Sequence, residues 1–324
     1  MPGARIDKKV VRLSPLHAVV FACIFQSEEK SGPAMLEFLN AVLRHVGEEP
    51  ITEIISMKSE YPVFGMSADV KYGRLDVRVK AESGRLFDIE VQIDKDFMNE
   101  RGFFYGGRLD EDEFKSGMSY DQIPEVRVIN LVDFYVRGAS ADNDTGSTRN
   151  LAEDEKACAV NQDKKAQEPS IVEPVVLAYQ NHPGEIATTK FKMYHIQLPA
   201  FRKKYKTLES VKGDTLFSWL YMFDRGYQNP EEMEVLSDMS EGLRNFAMQY
   251  NYAINDPELI RRYRMIEDGK HDMATKMVVA HRDGERQGRY DEKKDNARRM
   301  KTRGFSMADI IDITGLTAIE VNAL

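Results

Sequence analysis

One segment constrains the fold more than any other: residues 74–93, RLDVRVKAESGRLFDIEVQI, where two runs of strict alternation flank a glycine-bearing turn. Leu75, Val77 and Val79 alternate with Asp76, Arg78 and Lys80, while Phe87, Ile89, Val91 and Ile93 alternate with Asp88, Glu90 and Gln92. Each run therefore reads as a strand with one apolar and one polar face. A loop of Glu82, Ser83 and Gly84, with Gly84 in the left-handed conformation such loops need, pairs Ala81 with Arg85. Val77 then faces Ile89 and Leu75 faces Val91, and a slip by one residue would mix the faces. The same register sets Arg78 opposite Asp88, an ordinary cross-strand ion pair, and Asp76 opposite Glu90. Like charges directly opposed cost stability unless something bridges them. A hard cation such as Mg²⁺, which takes oxygen ligands, removes that cost. The spacing also suits two solvated carboxylates on an exposed strand face.

An aspartate on one strand and a Glu-x-Gln on the next resembles the catalytic signature of the PD-(D/E)XK nuclease superfamily. More narrowly, Leu75-Asp76-Val77 and Ile89-Glu90-Val91-Gln92 are similar to the Rpn family of recombination-promoting nucleases and transposases. The likeness runs on through Phe97, Arg101, Tyr105, Gly117 and Tyr120 to Ile123-Pro124, and upstream it takes in the helix-like LEFLNAVL from Leu36 to Leu43. It covers about residues 16–137, resumes near 172–223 and reappears at the C-terminus. The resemblance implies an α/β, restriction-endonuclease-like core, a mixed central sheet flanked by helices, with a helical C-terminal extension. It also implies a metal-dependent DNA endonuclease that hydrolyses phosphodiester bonds in recombination or transposition. In that scheme Asp76, Glu90 and the Val91 carbonyl hold Mg²⁺ or Mn²⁺, and Gln92 stands where many relatives carry lysine. A neutral amide can orient a water but cannot neutralise developing charge. Glu37 is a candidate outer ligand or a plain surface residue. Arg101 suits phosphate positioning through its bidentate guanidinium, or pairing with a nearby acid. Asp69 and Lys71 lead into the hairpin and are further candidates to approach the site.

With 324 residues, 42% hydrophobic and 30% charged, the chain can bury a full core. Nothing approaches the run of about 18 apolar residues that a membrane span needs. The basic start MPGARIDKKVVRLSP lacks the apolar stretch of a signal peptide. Cys23 and Cys158 are the only cysteines, in unlike contexts, which argues against a disulfide framework or a thiolate zinc site. A cytoplasmic protein is expected. The net charge of −8 argues against a polyanionic partner at first sight. Placement matters more: Lys293, Lys294, Arg298, Arg299, Lys301 and Arg303 fall in eleven residues with one acid, Asp295. This stretch is the expected contact with the DNA backbone, although basic residues also gather at the ends of exposed helices.

Along the chain, residues 16–26 and 34–46 read as helices, the second closed by Gly47 and Pro50, and 51–60 as a strand followed by a connection at 61–71. Residues 95–115 read as a helix kinked or broken at Gly106-Gly107, and 126–136 as a buried strand. The order helix, three strands, helix, strand is that of the nuclease core. Residues 138–170, without aromatics and rich in Asp, Asn, Ser, Ala and Lys, read as a flexible surface insertion. Strands resume at 175–179 and 191–198, where Pro199 ends the second and the lone His195 reads as structural. Residues 208–223, with Trp219, and 233–252 read as amphipathic helices whose Met and aromatic positions pack a core. A charged run at 259–296 reads as a long helix with Met265, Met273 and Met277 as its sparse apolar stripe.

Ser306 and Thr317 can cap two short helices around a turn at Gly315, a helix-turn-helix pattern. Apolar Phe305, Ile310, Ile311, Leu316, Ile319 and Val321 offer a common face. The second helix has no Arg or Lys and would read bases poorly, so packing or homo-oligomer formation competes with DNA binding. No glycine-rich phosphate loop is present. The expected organisation is a nuclease-like core at 1–223 holding the insertion at 138–170, a helical extension at 224–296 and a helix-turn-helix-like module at 297–324. The alternative function is a catalytically silent DNA-binding or assembly protein that keeps the nuclease fold.

Overall fold

The alternating runs form β2 (Val77–Ala81) and β3 (Leu86–Val91). They pair Val77 with Ile89, Arg78 with Asp88, Val79 with Phe87 and Lys80 with Leu86, the register that the turn dictates. Gly84 has φ 80°, and the Ala81 amide donates to the Arg85 carbonyl at 2.9 Å. The computed structural model describes residues 12–59, 77–91, 98–113, 117–136 and 168–324. Asp76 and Gln92 lie outside the described residues, as do Asp69, Lys71, Cys158 and nearly all of the insertion.

The hairpin sits within a six-stranded sheet of order β1-β2-β3-β4-β6-β5, completed by β1 (Ile54–Ser59), β4 (Val126–Val132), β5 (Val172–Val176) and β6 (Phe191–Gln197). β3, β4 and β6 are parallel neighbours, and the outer pairings are antiparallel. Every residue of β3 and β4 is buried, as two-sided cover of parallel strands requires. Edge strand β5 carries Pro174, whose missing N–H blunts the edge.

After α1 (Ala18–Ile24), two helices, α2 (Glu28–His45) and α3 (Met98–Glu113), complete the expected αβββαβ order. α2 begins at Glu28, six residues before the expected start, with Pro33 inside it. Proline removes the bond to the Glu29 carbonyl, but Pro33 and Glu29 are both exposed, so water can take the vacated acceptor. Gly47, with φ 74°, closes the helix as expected. The expected break at Gly106-Gly107 is not there, and α3 runs through it. A Cβ on Gly106 would lie 2.3 Å from Phe191 Cε2, and one on Gly102 2.7 Å from Met193 Sδ. These glycines, one turn apart, let α3 lie close on β4 and β6, which is a packing role and not a helix stop.

The larger core is aromatic. Phe38 on α2 packs against Trp219 and Phe223 of α5 (Thr215–Asp224) at centroid separations of 5.9 and 5.3 Å. Phe246 of α7 (Glu241–Ala253) meets Trp219 at 5.6 Å. Pro199 opens a helix, α4 (Leu198–Lys204), because its fixed φ suits a first turn. The expected helix at 233–252 is two, α6 (Pro230–Ser237) and α7, divided where Ser240 caps α7 by accepting from the Leu243 amide. Strand β5 begins at Val172, earlier than expected. No helix among the described residues is long and apolar enough to cross a membrane.

By packing, the chain forms two units, Met1–Ile260 and Arg261–Leu324. α8 (Pro257–Thr302) leads into the second, followed by α9 (Met307–Thr314) and α10 (Ala318–Asn322). Ser306 caps α9, Gly315 turns at φ 64°, and Thr317 caps α10 with a reciprocal bond from Glu320. The common face is Ala297 of α8 with Ile310, Leu316 and Val321, whereas Phe305 and Ile319 are exposed. Met265, Met273 and Met277 are exposed along α8.

Candidate active site

The polar face of the hairpin is not a solvated surface. Asp88 and Glu90 are 0% and 4% exposed, because α3 lies over that side of the sheet. In-register neighbours point to one face, which sets Glu90 beside Asn130 of β4, Asn130 beside His195 of β6, and His195 beside Glu173 of β5. A row of polar side chains thus crosses the middle of the sheet beneath α3.

Hydrogen bonds join this row to the helix. Asn130 Nδ2 lies 3.0 Å from His195 Nδ1, and His195 Nε2 lies 3.1 Å from Asn99 Oδ1 at the start of α3. Burial depresses the His195 pKa to about 4, so the ring is neutral at neutral pH and has one N–H to give. With Nε2–H donating to Asn99, Nδ1 accepts from the Asn130 amide, and a single tautomer satisfies both contacts. His195 is structural in this sense: both ring nitrogens are occupied. Two residues beyond Asn99, Arg101 reaches back to Glu90, with Nη2 3.8 Å from Oε2.

Gln197, two residues past His195 on the same face, steadies the strand ends. Its Oε1 accepts from the Val136 amide at 2.6 Å, and its Nε2 donates to the Ser170 carbonyl at 2.7 Å. Val136 lies just before the inserted segment and Ser170 is its last residue, so one buried side chain fixes the chain at both ends of it.

Of the residues singled out in the sequence, Glu90, Val91 and Arg101 come together here. Glu37 is engaged elsewhere: its Oε1 accepts from Trp219 Nε1 at 3.0 Å and from the Ser240 hydroxyl at 2.6 Å, and its Oε2 from the Gly242 amide at 3.1 Å. It ties α2 to α5 and to the start of α7. Sequence reasoning missed Asn130 and Asn99. The available signal was an asparagine within the apolar run VRVINLV, since an amide in a two-sided buried strand needs partners.

On the opposite face of the sheet, Glu48 accepts from Arg127 Nε at 2.7 Å and from the Tyr194 hydroxyl at 2.7 Å, and it also pairs with Lys192. Burial alone would raise the Glu48 pKa, but these hydrogen bonds hold it at about 2.

In the second unit, several residues of the basic stretch have partners. Lys301 Nζ donates to the Val321 carbonyl at 3.0 Å, Lys294 sits 4.3 Å over the Tyr290 ring, and Arg298 pairs with Asp295 at 2.9 Å. Lys293, Arg299 and Arg303 are exposed.

A mixed sheet in αβββαβ order, with a carboxylate held at the end of the central hairpin, is the PD-(D/E)XK nuclease-like α/β class. Residues 15–163 match the model of a family described as PD-(D/E)XK nuclease family transposase, which bears out the resemblance over that segment. A nuclease related to transposition is the activity this family points to. No curated protein and no solved structure matches the chain.

No cluster of three His, Cys, Asp or Glu side chains suited to a metal occurs among the described residues. The donors at hand are nevertheless of the right kind. The Glu90 carboxylate is buried, and Asn130 Oδ1 is a buried acceptor with no hydrogen-bond partner among the described residues. Oxygen donors on a rigid sheet suit Mg²⁺ or Mn²⁺ and not a soft metal.

Proposed function

We propose that the protein is a metal-dependent DNA endonuclease that hydrolyses phosphodiester bonds during transposition or recombination. The observation that carries this reading is a nearly buried glutamate, Glu90, at the C-terminal end of β3, within reach of Arg101 and within a segment matched by a nuclease family. A carboxylate taken out of water at that position is costly unless cations compensate it, and a nuclease site supplies such cations.

Asp76, one residue ahead of β2, supplies the second carboxylate in this proposal, and the Val91 carbonyl a third oxygen. A divalent cation held there would polarise the scissile phosphate and lower the pKa of a bound water. Arg101, whose Nη2 lies 3.8 Å from Glu90 Oε2, contacts a phosphate oxygen of the arriving substrate in this reading. Gln92 orients the attacking water. Because it is neutral, it leaves the developing charge less stabilised than lysine would. The exposed basic residues Lys293, Arg299 and Arg303, with Arg298, contact the DNA backbone.

The test is cleavage of supercoiled plasmid by purified protein with Mg²⁺, Mn²⁺ or chelator. Cleavage that requires metal and disappears in Asp76→Asn supports the proposal, and Gln92→Lys should keep or raise the rate. Asp76→Asn should also fold normally yet lose thermal stabilisation by Mg²⁺, since that stabilisation reports metal affinity for the folded state. A wild-type protein that neither cuts DNA nor responds to divalent metal would favour the silent DNA-binding or assembly alternative.

A further inference from the structure

Asn130 is 1% exposed, yet its Oδ1 has no hydrogen-bond partner among the described residues. A buried carbonyl oxygen without a donor is unfavourable, and its surroundings indicate why it is retained. Asn130 sits on β4 between Glu90 of β3 and His195 of β6. Its Nδ2 is drawn toward β6 by His195 Nδ1 at 3.0 Å. The two polar atoms of a planar amide diverge, so Oδ1 is directed away from His195, and the in-register neighbour of Asn130 on its other side is Glu90. His195 is itself held through Nε2 by Asn99 on α3, the helix whose Arg101 approaches Glu90. The amide is thus locked in one orientation by partners on the side away from the carboxylate.

We propose that Asn130 Oδ1 is a neutral oxygen donor to the divalent cation at Glu90, and that His195 and Asn99 are positioning residues that fix its direction. This rests on the reading of Glu90 as a metal site. A neutral donor adds coordination without adding negative charge beside the buried Glu90 carboxylate, which a further acid would repel in the metal-free protein. Outer partners that orient a ligand commonly change metal affinity by about 10- to 100-fold when removed, and the same range is expected here.

The experiment is titration of the full-length protein with Mn²⁺ alone, read by calorimetry and by the rise in melting temperature, with no DNA present. Asn130→Leu should weaken Mn²⁺ binding by roughly 10-fold or more while circular dichroism stays native, and His195→Leu should weaken it by a similar factor through loss of orientation. Asn130→Asp, which keeps an oxygen, adds charge and can accept from the Nδ1–H tautomer of His195, should bind Mn²⁺ more tightly than wild type. If Asn130→Leu does not fold, the aspartate variant decides alone, and unchanged or weaker binding by it overturns the proposal. Glu90→Gln separates the two layers. Wild-type affinity in Glu90→Gln refutes the metal site itself, whereas loss there with unchanged binding in folded Asn130→Leu refutes only the role of Asn130.

Discussion

The adjacent glycines of α3 give opposite expectations for the same substitution. A Cβ on Gly107 would meet nothing within 4 Å, while one on Gly106 would meet Phe191 Cε2 at 2.3 Å and Val128 Cγ2 at 3.0 Å. Alanine is favoured over glycine in a helix interior by about 1 kcal/mol, so Gly107→Ala should stabilise the protein by about that amount. Gly106→Ala gains the same propensity but must displace a ring edge that packs on Phe103 at 5.6 Å and a fully buried valine. Overpacking of this kind costs about 1–3 kcal/mol, and a 2.3 Å approach belongs at the upper end. The net loss should be about 2 kcal/mol, a gap of about 3 kcal/mol between neighbouring alanines. Equilibrium urea denaturation followed by Trp219 fluorescence measures it, provided that the slope with denaturant is unchanged between variants. Gly106→Ala should also lower cleavage, because α3 carries Arg101 and Asn99. Equal stabilisation by both substitutions would mean that α3 does not lie against β4 and β6 as described, and the polar row would lose its cover.

Acid stability offers another test. Glu48 has a folded pKa of about 2 against an ordinary 4.5. The stability it contributes is therefore full above about pH 4.5 and lost as pH falls toward 2, amounting to about 3 kcal/mol. Glu48→Gln should lower the melting temperature at pH 7 and flatten its fall between those limits, and an unaltered profile would remove the network from the account. For DNA binding, charge reversal at Arg298, Arg299 and Arg303 should weaken affinity and reduce the dependence on log salt by roughly one unit per lost contact. Lys301 is left out because it holds the end of α10. An unchanged salt slope would place the DNA surface elsewhere.

The hairpin was legible because two local rules agree: period-two alternation sets the faces, and Gly84 sets the register. The helix caps at Ser306 and Thr317 were legible for the same reason, since a cap depends on residues three apart. What could not be read was long-range. Gly102 and Gly106 look like weak points in a helix until the sheet beneath them is known. The close seat of α3 on that sheet also explains why Asp88 and Glu90 are buried and not solvated. Asn130 and His195 are 65 positions apart and meet only because β4 and β6 are parallel neighbours. Glu37 looked like a residue on a polar helix face, but its acceptor role depends on Trp219, Ser240 and Gly242, far along the chain.

A single metal-binding carboxylate pair, Asp76 with Glu90, is proposed to cut DNA. This is tested most directly by single-turnover cleavage of an end-labelled duplex, with wild type, Asp76→Asn and Glu90→Gln purified side by side. Charge stabilisation by a bound metal contributes several kcal/mol, so each variant should fall by about a thousandfold or more in Mn²⁺, and all three proteins should be inert in chelator. Cleavage by either variant at the wild-type rate would contradict the two-carboxylate mechanism.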